Sequence, residues 1–458
     1  DRFYTEQQSI AQSRPGDRMI ELNGQVPLAE TRYYANDPRF EPARYGWSIG
    51  TSTLSKNVLT LSDTWRPTRH FTITPSISHV WASAGNNAYG GEVINNATWA
   101  PGLAAIWDAT HDGRTALRGS LSSYVDLDVG AIARHTIGGQ TQQRCLWNPA
   151  TEAFDSQCVY SGGRTQNTIG SPCGPSGIDE QGRPCTQSLV VPRTLEVAFG
   201  GERELAPGLS MALDFVHRNY TNQFEVNETN RIWNQSGTRL STIGGYRNGR
   251  PETVQDLGTP EGAQRRYDGL TFGLTKREGK LKTSASYTWS RLEGTVTGGT
   301  NNLWGDIDAR NVYLDSYLPD DHRHEIKLAA YYQAAKWISF GSRTTYMSGM
   351  PYSRFYRNDE TAAYDQLRAP LGINPGADIN DRADDRALRL SDQLEMNVQA
   401  RVNLLPLIGH RLDFYVDMLN ILALRTPTAL GTNDGQDFGV ERTWMAPMRI
   451  RLGMNYKF

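Results

Sequence analysis

The sequence predicts an all-β protein, a transmembrane antiparallel β-barrel. Three observations support this prediction. Apolar and polar residues alternate with period two in many segments, which is typical of strands that have one apolar face. Short and long connections alternate along the chain. The mean hydropathy of the 458 residues is only −0.55, and no stretch approaches the roughly 18 consecutive apolar residues of a membrane-spanning helix.

The alternation is clearest at the C-terminus. Between 448 and 458, Met, Ile, Leu, Met, Tyr and Phe alternate with Arg, Arg, Gly, Asn and Lys. On a strand, Ile450 and Leu452 share one face, and Arg451 lies on the other. We expect the apolar face to contact lipid. The same pattern elsewhere places Tyr287, Val398 and Val416 towards lipid and Ser286, Gln399 and Asp417 towards the interior.

Read back from the C-terminus, this pattern predicts about 14 strands in the chain, with boundaries good to about 2–4 residues. The predicted spans are 1–13, 48–65, 70–82, 97–109, 114–127, 191–204, 208–222, 265–277, 280–292, 322–334, 336–349, 389–404, 409–424 and 441–458.

The connections between these strands differ regularly in length. Tight links near 66–70, 109–114, 204–209, 277–281, 333–337 and 405–410 alternate with polar segments at 83–96, 128–191, 222–265, 292–321, 350–388 and 425–440. Outer-membrane barrels have short periplasmic turns and long external loops. A soluble β-sandwich is the alternative, but it would not place its long loops at one end with this regularity and would cover its apolar face with a second sheet.

The composition and the motifs of the sequence argue against several classes of function. Lys and Arg total 47 and Asp and Glu total 49, so the net charge of −2 gives no reason to expect a nucleic-acid partner. No nucleophile elbow, zinc-protease motif, P-loop or dinucleotide fingerprint is present, so we expect neither an enzyme nor a bound cofactor. The predicted interior charges are Arg118, Glu196, Asp214, Lys327, Arg343, Glu395, Arg401, Arg411, Asp413, Asp417, Arg449 and Arg451.

All four cysteines lie in one polar segment. They are Cys145, Cys158, Cys173 and Cys185. Their spacing fits no CxxC zinc pattern. Two disulfides in an oxidising compartment are therefore favoured over four reduced thiols. Three pairings are possible, and Cys145–Cys158 with Cys173–Cys185 is favoured because it closes the shortest loops.

Two clusters contain residue types that bind metals. His322 and His324 lie one residue apart beside acidic residues and would share a strand face, which suits a transition metal. Asp381, Asp384 and Asp385 crowd carboxylates into a loop, which suits calcium. In each case a structural role is the stronger interpretation, so no metal is expected. The first string is a loop-to-strand junction, and Arg382 and Arg386 neutralise the second cluster.

Several strings, in order, resemble the C-terminal barrel of TonB-dependent outer-membrane receptors, within the Oar-like group that carries a carboxypeptidase-regulatory-like domain. The strings are LSDTWRPT at 61–68, DGRTALRG at 112–119, YDGLTF at 267–272, ASYTWSRLEG at 285–294, DHRH at 321–324, YMSGMPY at 346–352, VDMLNIL at 416–422 and RIRLGMNYKF at 449–458. Their order and spacing carry the resemblance.

The resemblance implies a barrel of about 22 strands, plugged from the periplasmic side. On this interpretation residues 1–458 are the C-terminal part of the barrel. The plug domain, the TonB box and about eight strands belong to another part of the gene or to a partner chain. The terminal Tyr456 and Phe458 resemble the signal that the barrel-assembly machinery reads.

The resemblance therefore predicts an outer-membrane transporter for a bulky substrate, energised by TonB through the plug. The expected partners are outer-membrane lipid, the missing strands and plug, TonB and the assembly machinery. Two alternatives remain open: a surface scaffold that binds partner proteins, and a small channel that 14 strands close by themselves.

Overall fold

The computed structural model of the chain describes residues 2–9, 18–23, 26–34, 51–86, 91–125, 141–154, 159–161, 164–169, 189–228, 231–236, 239–246, 252–259, 264–294, 303–306, 316–318, 320–352, 354–355, 370–371, 388–409, 412–431 and 439–456. Its main feature is one large antiparallel sheet. The principal strands of this sheet, which we call the main path, pair side by side in the order in which they follow one another along the chain.

The main path of this sheet has fourteen strands, and each corresponds to a predicted one. They are β1 (Arg2–Ser9), β2 (Thr51–Ser62), β3 (Phe71–Asn86), β4 (Gly91–Asp108), β5 (Thr115–Val125), β6 (Arg193–Ala206), β7 (Leu209–Thr221), β8 (Arg265–Lys276), β9 (Leu281–Gly294), β10 (His324–Ala335), β11 (Ile338–Met347), β12 (Gln393–Asn403), β13 (Leu412–Leu419) and β14 (Arg449–Tyr456). The prediction of an antiparallel β-barrel protein is confirmed.

The two faces of the sheet differ as the alternation predicts. On the face that we call outer, apolar side chains are unusually exposed, with Leu452 at 75% and Phe199 at 59%. Val416 pairs with Leu452 in register and shares this face. Arg451 pairs with Asp417 on the opposite, inner face. Exposed apolar side chains in a continuous band are the surface that a barrel presents to lipid.

With the exception of the short connection between β3 and β4, the long connections of the main sheet lie at one end and the short ones at the other. The link that joins β6 to β7 has only two residues and includes Gly208, whose φ of 69° favours glycine. Between β12 and β13 the chain forms one helical turn, α1 (Leu405–Ile408), which ends at Gly409 with a φ of 74°. Among the described residues, no helix is long and apolar enough to span a membrane.

One predicted long loop is wrong. Residues 83–96 are mostly strand, because β3 continues to Asn86 and β4 begins at Gly91. Ala84 and Ile94 pair across these strands on the inner face and are only 2% and 1% exposed. They pack in one cluster with Leu257, which comes from a distant long segment. Burial of small and apolar inner-face side chains under that segment extends the two strands.

The last predicted strand is divided in two. Glu441–Trp444 pairs with Pro427–Leu430 in a separate hairpin, and β14 begins only at Arg449. Pro447 lies between them and has no backbone N–H to donate to a ladder. The carbonyl oxygen of Ala446 accepts a hydrogen bond from the Asn420 side chain instead.

The long segments contain small sheets that the alternation did not predict. One joins Arg18–Asn23 and Val26–Tyr34 to Thr141–Asn148, Ala153–Phe154 and Val159–Ser161. A second joins Arg164–Ile169, Glu225–Glu228, Glu252–Gly258 and Leu303–Asp306. Separate pairs are Arg231–Ser236 with Arg239–Tyr246 and Arg354–Phe355 with Pro370–Leu371, while Trp65–Thr68 pairs with β3 and Ser316–Tyr317 with β9.

Candidate functional site

The inner face of the sheet is the candidate functional surface, because charged side chains line it in pairs, most of which join two strands. Most of the predicted interior charges meet a partner there. The pairs are Arg118 with Asp214, Glu196 with Arg218, Lys327 with Glu325, Arg401 with Asp413, and Asp417 with Arg451. Glu395 accepts a hydrogen bond from Asn397, and Arg411 lies outside the described residues.

The Arg118–Asp214 pair spans a strand that lies between its two members. Gly200 on β6 is in register with Arg118 on one side and Asp214 on the other. The Arg118 Nη2 atom is 2.7 Å from Asp214 Oδ1 and 2.9 Å from Oδ2. A Cβ atom on residue 200 would collide with Asp214 Oδ1. Glycine therefore allows the guanidinium to cross over the strand and reach the carboxylate.

A second inner-face group centres on Glu196. Arg218 on the neighbouring strand donates from Nε to Glu196 Oε2 at 2.5 Å. The same guanidinium lies 5.9 Å from the ring centre of Tyr267 on the next strand. The Tyr124 hydroxyl donates to Glu196 Oε1 at 3.5 Å from the other side. Four adjacent strands, β5 to β8, thus contribute to one polar row.

A third group lies near the C-terminal end of the sheet. Asp417 accepts hydrogen bonds from Gln399 Nε2 at 2.6 Å and from Arg451 Nε at 2.9 Å. The three residues are in register on β12, β13 and β14. These three groups place charged side chains on the inner wall, and in each group an arginine binds the carboxylate. Such a wall suits a solvated or protein-filled interior.

The predicted histidine cluster does not form one site in the described residues. His322 Nδ1 is 2.7 Å from the carbonyl oxygen of Ser348, whereas His324 Nδ1 is 2.9 Å from the Tyr287 hydroxyl. Within the described part of the chain, no group of three His, Cys, Asp or Glu residues has metal-binding geometry. The other metal candidates, Asp381, Asp384 and Asp385, lie outside the described residues.

The DHRH string instead contains a buried carboxylate, Asp321, which joins the ends of two long segments. Asp321 is 1% exposed, and its Oδ2 accepts from Arg389 Nη2 at 2.6 Å and from Arg323 Nη2 at 3.3 Å. Its Oδ1 accepts from the backbone N–H of Leu292 at 2.7 Å. Arg389 Nη1 also donates to the carbonyl oxygen of Gly349 at 3.0 Å. We call Asp321, Arg323 and Arg389 the clasp.

An aromatic ring extends the clasp into a larger group. The guanidinium carbons of Arg323, Arg389 and Arg291 lie 4.5, 5.3 and 5.5 Å from the ring centre of Tyr317. Arg291 in turn contacts Glu293, which also contacts Arg266. We call the clasp together with these four further residues the rim cluster. Sequence reasoning missed it, because its members come from four separate segments.

The remaining predicted residues are only partly described. Cys145 is fully buried, while Cys158, Cys173 and Cys185 lie outside the described residues. The predicted pairing therefore stays a prediction. Tyr456 ends β14, is 48% exposed and lies on the outer face, because it shares the alternation of Leu452. Phe458 lies outside the described residues.

The chain matches one family and several solved structures. The family described as "Outer membrane beta barrel domain" matches residues 43–368. No curated protein matches the sequence. Similar structures include a mutant of the ferric enterobactin receptor PfeA of Pseudomonas aeruginosa, with a TM-score of 0.53 and 11% identity. BauA, the ferric preacinetobactin receptor of Acinetobacter baumannii, has a TM-score of 0.52 and 13% identity.

A third similar structure is the outer membrane transporter YddB of Escherichia coli, with a TM-score of 0.50 and 10% identity. The alignments cover 100%, 100% and 95% of this chain but only 53%, 50% and 61% of PfeA, BauA and YddB. The chain thus spans between half and about three fifths of the length of these proteins. At such low identities the likeness concerns the fold alone.

Proposed function

Because this chain belongs to the outer membrane β-barrel domain family and is a β-barrel protein of the bacterial outer membrane, we propose that it forms most of the wall and external loops of a transporter. One observation carries the proposal. The fourteen-stranded sheet has an apolar outer face and an inner face of paired charges, which is the division that a polar passage through lipid requires.

The proposed energy source is TonB, acting through a plug domain. The sequence strings that resemble Oar-like receptors support this part of the proposal, whereas the fold by itself does not bear on the energy source. The chain spans about half of the ferric-siderophore receptors that share its fold. In the proposal, the remaining strands and the plug come from the same gene or from a partner chain, and the barrel-assembly machinery reads Tyr456 and Phe458.

The proposed substrate is bulky, and ferric siderophores are the first class to test, because two proteins with this fold are receptors for ferric enterobactin and ferric preacinetobactin. The full-length protein would be expressed in the outer membrane of cells that lack other siderophore receptors. We expect uptake of at least one radiolabelled ferric siderophore, and loss of that uptake when TonB is deleted. A matched strain without the protein sets the background.

Other outcomes would redirect the proposal. Uptake that survives TonB deletion, together with steady conductance in planar bilayers, would indicate a self-closed channel. An absence of uptake for every substrate class would favour the second candidate, a surface scaffold. One observation favours that candidate: Arg18–Asn23 and Val26–Tyr34 form a sheet outside the main one with Thr141–Asn148 and two short strands that follow it, which provides a folded surface for a partner protein.

A further inference from the structure

Cationic side chains gather where β5 to β9 reach the end of the sheet that has the short connections. Arg203 on β6 and Lys276 on β8 alternate onto the outer face together with the exposed apolar side chains of their strands. Arg114 immediately precedes β5, while Arg277 and Lys280 lie in the turn between β8 and β9. All five side chains are exposed. We call these five residues the basic patch.

Carboxylates are fewer at this end of β5 to β9. Asp112 and Glu278 lie in the same turns as the cationic residues. Glu202 and Glu204 lie on the inner face, because they alternate with Arg203 along β6. Among the described residues on the outer face and in the turns at this end, five cationic side chains therefore accompany two carboxylates.

The Asp112 carboxylate is bound mainly within its own turn. Its Oδ1 atom accepts hydrogen bonds from the Thr110 hydroxyl and from the backbone N–H of Arg114. These hydrogen bonds, and to a smaller extent the charges of Arg114 and Arg203, hold the pKa of Asp112 below its usual value. Arg203 donates from Nη1 to Thr115 Oγ1 at 2.7 Å, which orients its guanidinium along the outer face. Even if Asp112 offsets one of these arginines, the basic patch keeps an excess of positive charge.

The basic patch lies immediately beyond an aromatic side chain at the lipid boundary. Trp107, on the outer face at the end of β4, is 44% exposed and is in register with Leu117 on β5. Tryptophan on a lipid-facing surface marks the interface between hydrocarbon and headgroups. Leu117 is in register with Gly201 on β6, and Arg203 is the next outer-face residue towards the turn. Arg203 therefore lies at the level of the lipid headgroups.

We propose that the basic patch binds the headgroup of an anionic phospholipid in the periplasmic leaflet. Short turns of outer-membrane barrels face the periplasm, and the leaflet on that side consists of phospholipids. Lys and Arg near a membrane surface attract anionic lipids. Their apolar stems pack along the lipid-facing wall while their charged ends reach the headgroups. A headgroup with a net negative charge complements the patch, whereas a zwitterionic one does not. The inference rests on the proposed orientation of the short turns, but not on transport.

The test measures lipid selectivity of the full-length protein purified in neutral detergent. Native mass spectrometry counts the phosphatidylglycerol and phosphatidylcholine molecules that stay bound during a titration with equal amounts of both, which carry acyl chains of different mass. We expect phosphatidylglycerol to be retained preferentially. The double variant R203Q/K276Q should bind the first phosphatidylglycerol molecule about 25-fold more weakly, because each Lys or Arg near the surface contributes about fivefold to the affinity for an anionic lipid.

The matched control is K282Q/R343Q, which removes one lysine and one arginine that are exposed on the inner face of β9 and β11. This control should change the affinity less than twofold, because lipid does not reach the inner face. The single variant K276Q serves if the double variant does not fold, and it should weaken binding about fivefold.

Three results would overturn the proposal. They are equal retention of the two lipids by the wild type, an unchanged affinity in R203Q/K276Q or K276Q, and an equal loss of affinity in the control. Displacement of phosphatidylglycerol by inorganic phosphate at equal concentration would overturn the lipid assignment. Selective binding of phosphatidylglycerol without substrate uptake would sustain this inference while contradicting the transporter.

Discussion

Asp417 and Arg451 face each other in register on the last two strands of the sheet, and their Oδ2 and Nη2 atoms are 2.6 Å apart. The carboxylate side chain is 7% exposed, whereas the guanidinium side chain is 69% exposed. Gln399 donates to the other carboxylate oxygen. The buried carboxylate on β13 is therefore bound by side chains from both neighbouring strands, β12 and β14.

Substitutions of Gln399 test this arrangement. Gln399→Ala removes a hydrogen bond to an ionised group and should lower the free energy of unfolding by about 1.5 kcal/mol. Gln399→Glu should lower it further, because two carboxylates would then lie opposite each other on adjacent strands. Urea unfolding in lipid vesicles, followed by tryptophan fluorescence, measures both. A Glu variant as stable as the wild type would contradict the arrangement.

Cysteine labelling tests the two faces. Leu452→Cys places a thiol on the outer face, at a position that is 75% exposed in the isolated chain. Asn455→Cys places one on the inner face of the same strand. In the membrane, a water-soluble maleimide should label residue 455 rapidly and residue 452 slowly, because lipid covers the second thiol. Equal labelling rates would refute the face assignment.

Substitution of Asp321 tests the clasp. Asp321→Asn should lower the free energy of unfolding by about 3 kcal/mol, because it removes the carboxylate that two largely buried arginines share. Hydrogen exchange at the Leu292 amide should also become faster, since its acceptor is the Asp321 carboxylate. The control is Asp413→Asn, whose partner Arg401 is 45% exposed. That variant should cost at most about 1 kcal/mol.

Disulfide mapping tests the cysteine prediction. Mass spectrometry of a non-reduced digest should find Cys145 joined to Cys158 and Cys173 joined to Cys185. In the chain-entropy treatment, a loop of about 15 residues gains about 3 kcal/mol from such a bond. The Cys145→Ser variant should therefore be more sensitive to added protease in the long segment. A peptide that joins Cys145 to Cys173 or Cys185 would refute the pairing.

The strands of the main sheet were predictable because their signal is local. Each strand alternates within a dozen residues, and membrane burial demands an apolar residue at every second position. β14 shows this directly, since Ile450, Leu452 and Met454 are all exposed on the outer face. The boundaries failed where an inner-face residue was buried by a distant segment, as at Ile94, because no local pattern reports such a contact.

The small sheets and the rim cluster were not predictable for the same reason. Glu30 pairs with Cys145, more than a hundred residues away in the sequence. Asp321 illustrates this limit. The sequence analysis favoured a structural role for its string at a loop-to-strand junction, but it did not identify Arg389, from the far side of a long segment, as the partner of the carboxylate. Charge partners at such separations have no signature in a single sequence.

The sheet in which Val26–Tyr34 pairs with Thr141–Asn148 also affects the order of folding. Its pairing closes a very long loop, and contacts of high sequence separation form slowly, because the entropy of loop closure is lost before they contribute any stability. We therefore expect the paired strands Arg18–Asn23 and Val26–Tyr34 to join Thr141–Asn148 only after β2 to β5 have assembled and brought that strand near. We expect the backbone amides of this external sheet to be the last in the N-terminal third of the chain to become protected from hydrogen exchange. A folding intermediate in which this sheet has not yet formed should therefore be detectable.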